Sequence, residues 1–140
     1  MSTVEENKEV VRRYLTEILG QLDYTHAGEL MHEDFYGLGG TLKSLEEHEK
    51  YFKAQREKIP DSRMEIIDLI ADGDKVVAVS MLTGTDTGGF LSPEPTNNYM
   101  ETKVIGIYTV KNGKIAHGDV TYDGLKLYQQ LGFYPPMPEK

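Results

Sequence analysis

Residues 114–124 run Lys-Ile-Ala-His-Gly-Asp-Val-Thr-Tyr-Asp-Gly and hold the densest set of side chains able to move a proton. In an extended chain alternate side chains share a face. One face carries His117, Asp119, Thr121 and Asp123, and the other Ala116, Gly118, Val120 and Tyr122. His117 and Asp119 are then about 6–7 Å apart at Cβ. A carboxylate base beside an imidazole that donates, orients or takes up a proton is a proton-transfer pair. In an apolar cavity, desolvation would raise the carboxylate's pKa and make it a better base near neutrality. Asp123 lies about 13 Å from Asp119 along a strand, too far to share its proton. The competing reading is the polar face of an antiparallel strand that meets water.

Other catalytic patterns find no support. His48 opens a segment like a zinc-protease helix, but Phe52 stands where the second histidine must be. Gly-Leu-Gly-Gly-Thr at residues 37–41 lacks the third glycine and preceding strand of a dinucleotide fingerprint. There is neither a P-loop nor a Gly-x-Ser-x-Gly elbow. His26, His32, His48 and His117 are scattered; no metal site is expected, and the first three read as solvated helix residues. With no cysteine, disulfides, thiol nucleophiles and zinc–thiolate sites are excluded. Asp61, Asp72 and Asp74 read as turn residues. Tyr14, on an apolar helical stripe, reads as core or as a hydroxyl donor.

The elements that must position these groups follow from periodicity. Thr3 and Glu6 have capping-box spacing, and Val10, Val11, Tyr14, Leu15, Ile18, Leu19 and Leu22 recur at helical intervals. Gly20 loosens the end of that helix. A short helix is expected over residues 24–32, then an extended piece from Asp34 into a glycine turn. Ser44 and Glu47 open a third helix, stopped at Pro60 and Asp61. The period then changes. Strands are expected over 63–71, 76–85, 99–110 and 114–124, with hairpin turns at 72–75 and at Asn112-Gly113. Between the second and third strands, residues 86–98 form a Gly/Pro/Asn-rich loop that either borders a pocket mouth or is plain surface. A final helix spans 125–131, with Gly132 just past its end. Helices followed by antiparallel strands give an α+β class, and 140 residues suit one domain over 1–140.

Composition narrows the partners. Hydrophobic residues make up 39% and charged residues 27%, with a formal net charge of −8. An acidic chain is poorly suited to nucleic acid or an anionic membrane. The first residues are charged and unlike a secretory leader, and the longest nearly apolar run, residues 76–82, is too short to span a bilayer. A cytoplasmic location is the expectation.

Several segments together resemble the SnoaL-like polyketide cyclases, or ester cyclases, of the nuclear transport factor 2 superfamily. These are Glu6–Ile18, Gly28–Phe35, Ile59–Leu91, Asn112–Val120 and Leu127–Gly132, in order along nearly the whole chain. The resemblance implies a cone of helices closed over a curved antiparallel sheet around a mostly apolar cavity. It also implies cofactor-independent acid/base catalysis, an intramolecular aldol ring closure of a polyketide-like carbonyl compound, in a homodimer packed through the outer sheet face. The family's His-x-Asp on the last strand is matched by His117 and Asp119, with Asp119 as base. Tyr14 would donate to the enolate oxygen, with Tyr36, Phe90, Tyr108 and Asp123 lining the substrate site. An ungapped alignment on Asn112-Gly113-Lys114 puts Val120 at the acid/base position, and a bulge at Gly118 would bring Asp119 there. Gly118 replaces the usual tryptophan, and Leu38 and Asp86 stand where histidines are frequent. The alternatives are a noncatalytic dimeric binder of an apolar or aromatic small molecule, or an isomerase, dehydratase or hydrolase in the same cavity.

Overall fold

The computed structural model describes residues 3–36, 42 and 44–133, with the side chain of Tyr36 outside that set. Helix α1 (Val4–Arg13) starts at the expected capping box: Glu6 N donates to Thr3 Oγ1, and Thr3 N donates to Glu6 Oε1. The helix then widens into a π segment, Tyr14–Gly20. Arg56 holds the far end of that segment, donating to the Leu19 and Gly20 carbonyls at 3.1 and 2.9 Å. These carbonyls would otherwise end the helix without partners.

Two single-turn helices follow, α2 (Ala27–Leu30) and α3 (Glu33–Tyr36). The extended piece expected from Asp34 is helical through Tyr36. His32 accounts for the difference, since its carbonyl accepts from Phe35 N and its Nδ1 from Asp34 N. Helix α4 (Leu45–Lys58) begins at Ser44, whose hydroxyl accepts from Glu47 N.

Strands β1 (Arg63–Asp72), β2 (Lys75–Thr85), β3 (Tyr99–Lys111) and β4 (Lys114–Tyr122) form one antiparallel sheet in chain order. Helix α5 (Gly124–Gln130) closes the described chain, with Gly132 in the left-handed region just beyond it. The main core packs Val11, Tyr14, Leu15 and Ile18 against Val76, Ala78, Tyr108 and Val110 of the sheet. A second cluster joins Ile59, Met100, Leu127 and Leu131. The α+β architecture is the one expected, with helices over one face of the sheet.

The sheet register fixes which residues face the helices. Tyr108 pairs with Val76 and Gly118, and Gly106 with Ala78 and Val120. Directly paired residues share a face. Two irregularities interrupt the alternation, at Ile67 in β1 and Ala116 in β4. The bulge envisaged at Gly118 is therefore absent, and Gly118 serves another purpose. A Cβ there would lie 2.9 Å from Phe35 Cε2 and 3.0 Å from Tyr108 Cδ1.

Asp86 organises the long loop between β2 and β3. Its Oδ1 accepts from Gly89 N and Phe90 N, and its Oδ2 from Thr96 N and Thr96 Oγ1. The residue is fully buried. Burial opposes the charge, but these four donors outweigh it and hold the carboxyl below its usual range. Replacing Asp86 with Ala strands donors inside the loop and should cost about 2–4 kcal/mol. Urea unfolding measures this, and a loss below about 1 kcal/mol would remove Asp86 as the loop's anchor.

Candidate active site and ligand cavity

A cavity of about 580 Å³ lies between the helices and the concave sheet face. That volume suits a ring-containing small molecule. The π segment supplies Tyr14, Leu15 and Leu19, and α4 supplies Phe52 and Gln55. The sheet supplies Met64, Ala78, Ser80, Leu82, Thr102, Val104 and Tyr108. Phe90 enters from the loop that Asp86 anchors, as expected of a loop at the pocket mouth. Gln55 Oε1 and Thr102 Oγ1 are buried without a protein partner, two unsatisfied polar positions in a wall that also carries Ser80 and the Tyr14 and Tyr108 hydroxyls.

The sequence-predicted residues divide between two faces. Tyr14 and Tyr108 are buried and border the cavity, and Phe90 is half-buried beside it. Tyr36 closes α3, and its side chain lies outside the described residues, as does Leu38. Asp123 serves the fold instead, capping α5 by accepting from Lys126 N at 3.0 Å.

His117 and Asp119 do come together, with Nε2 and Oδ2 3.4 Å apart, but on the wrong side of the strand. Gly118 lies against Tyr108 and Phe35, so the side chains on either side of it point away from the cone. The two side chains are 61% and 78% exposed. They share the outer face with Ile107, opposite Asp119, and Thr109, opposite His117. Although β4 borders the cavity through both residues, the side chains of this strand that face inward are Gly118, Val120 and Tyr122. Val120, which the ungapped alignment sets at the family's acid/base position, is on that inward side. Apart from Asp119, no Asp or Glu borders the cavity among the described residues.

Sequence reasoning missed His48. Expected to be solvated, it is fully buried. Tyr14 Oη lies 3.1 Å from its Nε2 and Tyr24 Oη 2.8 Å from its Nδ1. The ring lies 4.6 Å from that of Phe52, tilted by 43°. Its position could have been read from spacing, because Leu45, His48, Phe52 and Ile59 recur as one helical stripe. Burial lowers His48 to about 4, so the ring is neutral at ordinary pH. The phenols shift the other way: desolvation raises Tyr14 well above its ordinary value and Tyr108 to about 12. Beside the guanidiniums of Arg56 and Arg63, the cavity wall thus offers phenol donors rather than a strong base. No group of His, Cys, Asp and Glu able to hold a metal occurs among the described residues.

The sequence model of the SnoaL-like polyketide cyclases matches residues 9–131. The chain belongs to that family. Solved structures agree with the cone fold. TsrD from Streptomyces laurentii superposes with a TM-score of 0.81 at 19% identity, covering 96% of this chain and 100% of its own. A SnoaL-like polyketide cyclase from Agrobacterium tumefaciens gives 0.75 at 20% identity, covering 94% and 100%. IdmH from Streptomyces antibioticus gives 0.74 at 21%, covering 90% and 98%. A comparison with curated protein sequences gives no match. Among the described residues no helix is long and apolar enough to cross a membrane.

The buried histidine has a measurable consequence. In the unfolded chain His48 takes a proton near pH 6.5, whereas in the folded protein it resists until about pH 4. Unfolding therefore takes up a proton in this window, and stability falls as pH drops through it. Urea midpoints from pH 7 to 4 in wild type and His48→Gln isolate the effect. The variant should lose less stability over that range, and equal losses would show that His48 carries no such burden.

Proposed function

We propose that the cone of this SnoaL-like domain, read as one domain over 1–140, holds an apolar, ring-sized small molecule of the polyketide-like carbonyl class. Tyr14 addresses a ligand oxygen, and His117 and Asp119 take no part. The supporting observation is the parity of β4, which turns Val120 inward and leaves Asp119 in water. An aldol closure needs a base to remove a proton from carbon. Val120 offers none, and the neutral phenols of Tyr14 and Tyr108 are poor bases at neutral pH. Apolar burial is then the main source of affinity, and Phe90 and Tyr108 supply ring-sized walls.

A second reading is favoured by one observation. Tyr14 begins a π segment, a distortion that recurs at functional sites, and it contacts a buried histidine. A hydroxyl held in a water-poor wall can stabilise an enolate as well as bind a ketone. Solvent-deuterium incorporation at the α-carbon of a bound ketone separates the two readings. The receptor reading expects exchange at the buffer rate in wild type. Catalysed exchange that survives in Asp119→Asn would favour Tyr14-assisted enolisation. Exchange lost in Asp119→Asn would overturn the proposal and return Asp119 to the mechanism.

Assembly belongs to the same proposal. The outer sheet face carries Val77, Val79, Met81, Ile105 and Ile107, with Ile107 44% exposed. A homodimer would cover this face, placing the His117–Asp119 pair on its polar border. Sedimentation should show a dimer that Ile107→Lys converts to monomer. A wild-type monomer at micromolar concentration would sink this part of the proposal.

A further inference from the structure

Tyr24, His48 and Tyr14 form a line that runs from the surface to the cavity. Tyr24 is half-buried, His48 fully buried, and Tyr14 borders the cavity. Each link is within hydrogen-bond distance, 2.8 Å and then 3.1 Å. A neutral imidazole has one N–H donor and one bare acceptor nitrogen, and a phenol has one proton. The line therefore has two self-consistent states. In the first, Tyr14 O–H donates to Nε2 and Nδ1–H donates to the Tyr24 oxygen. In the second, Tyr24 O–H donates to Nδ1, Nε2–H donates to the Tyr14 oxygen, and the Tyr14 proton is released toward the cavity.

We propose that Tyr24 and His48 are positioning residues that set the direction of the Tyr14 hydroxyl. A ligand bearing an acceptor oxygen selects the second state, and a pure hydrocarbon leaves the first in place. This rests on the reading of the cone as a receptor for ring-sized ligands and deepens it by naming an oxygen acceptor as the recognised group. Without such a ligand the first state satisfies every proton, because the Tyr14 hydroxyl has no other partner among the described residues. With one, the second state exchanges the long Tyr24 O–H contact to the His48 carbonyl, 3.5 Å, for a Tyr14 O–H bond to the ligand, and leaves no proton without an acceptor. The tilted contact of His48 with Phe52 and the edge contacts of Tyr14 with Phe35 and Tyr108 hold both rings in place, so the change requires only protons to move.

The test uses the whole chain with two isosteric three-ring probes, 9-fluorenone and fluorene, which differ by one carbonyl oxygen. Wild type should bind the ketone about five- to tenfold more tightly, the scale of one hydrogen bond. The carbonyl stretch of bound fluorenone should fall in frequency. Tyr14→Phe should abolish the preference. Tyr24→Phe, which lines no part of the cavity, should leave fluorene affinity intact. It should raise the ketone preference at least about twofold, because the Tyr14 hydroxyl already points to the cavity. The bound stretch should move slightly up, as Tyr24 no longer polarises the line. A preference and a stretch that ignore Tyr24→Phe would overturn the proposal, as would equal binding of the two probes in wild type. Binding of neither probe would count against the receptor reading. The relay is then decided by nitrogen NMR of His48 in the ligand-free protein. Wild type should hold Nδ1–H, and Tyr24→Phe, which removes that proton's acceptor, should shift the ring to Nε2–H. A ring whose tautomer is the same in both proteins would end the relay.

Discussion

The close approach of Gly118 to Tyr108 and Phe35 governs the chemistry of this cone. Any side chain at 118 would press on two aromatic rings that are themselves buried in the core. The strand is therefore locked with that position inward, and a strand offers only two phases. Everything then follows by alternation. Val120 and Tyr122 follow Gly118 inward, and His117, Asp119 and Thr121 face out. The extra residue at Ala116 reconciles this phase with Ile115, which is also buried, one step before the bulge.

With that phase set, the two faces of one sheet have opposite electrostatics. On the outer face a histidine and a carboxylate sit in water, where an ion pair contributes little. On the inner face the titratable groups are kept neutral by the cost of removing charge from water. His48 is pushed down and the tyrosines up for the same reason.

Much of the fold was legible because local signals agreed with one another. The capping boxes at Thr3 and Ser44, the turn at Asn112-Gly113 and the switch from helical to strand period each fall where the structure places an element boundary. The site was less legible, for two physical reasons. β2 and β3 are apolar on both faces, so hydrophobicity could not say which face of β4 met the core. The bulge that sets the phase sits at an alanine, a residue with no turn signature, whereas the glycine that drew attention packs regularly. His48 was misplaced because histidine is polar on average. Its spacing with Leu45, Phe52 and Ile59 carried the better information. Asp86 looked like an ordinary loop residue, and only its four donors reveal that the loop is built around it.

In the proposed receptor these features divide the labour of recognition. Shape comes from the apolar walls and from Phe90, whose place depends on a carboxylate that never meets the ligand. Polarity comes from Tyr14, whose ring is clamped by two aromatic neighbours while its hydroxyl answers to a histidine behind the wall. The π segment makes this arrangement possible. Its wider turn alters the angular spacing after Arg13, so Tyr14, Leu15 and Leu19 share the concave side, and Arg56 secures the carbonyls left at its end. A regular α-helix over the same residues would rotate Leu19 relative to Tyr14 and narrow that apolar wall. The distortion in the helix and the phase of the last strand are thus two halves of one constraint, which is to enclose a mostly apolar cavity with the Tyr14 hydroxyl oriented in its wall.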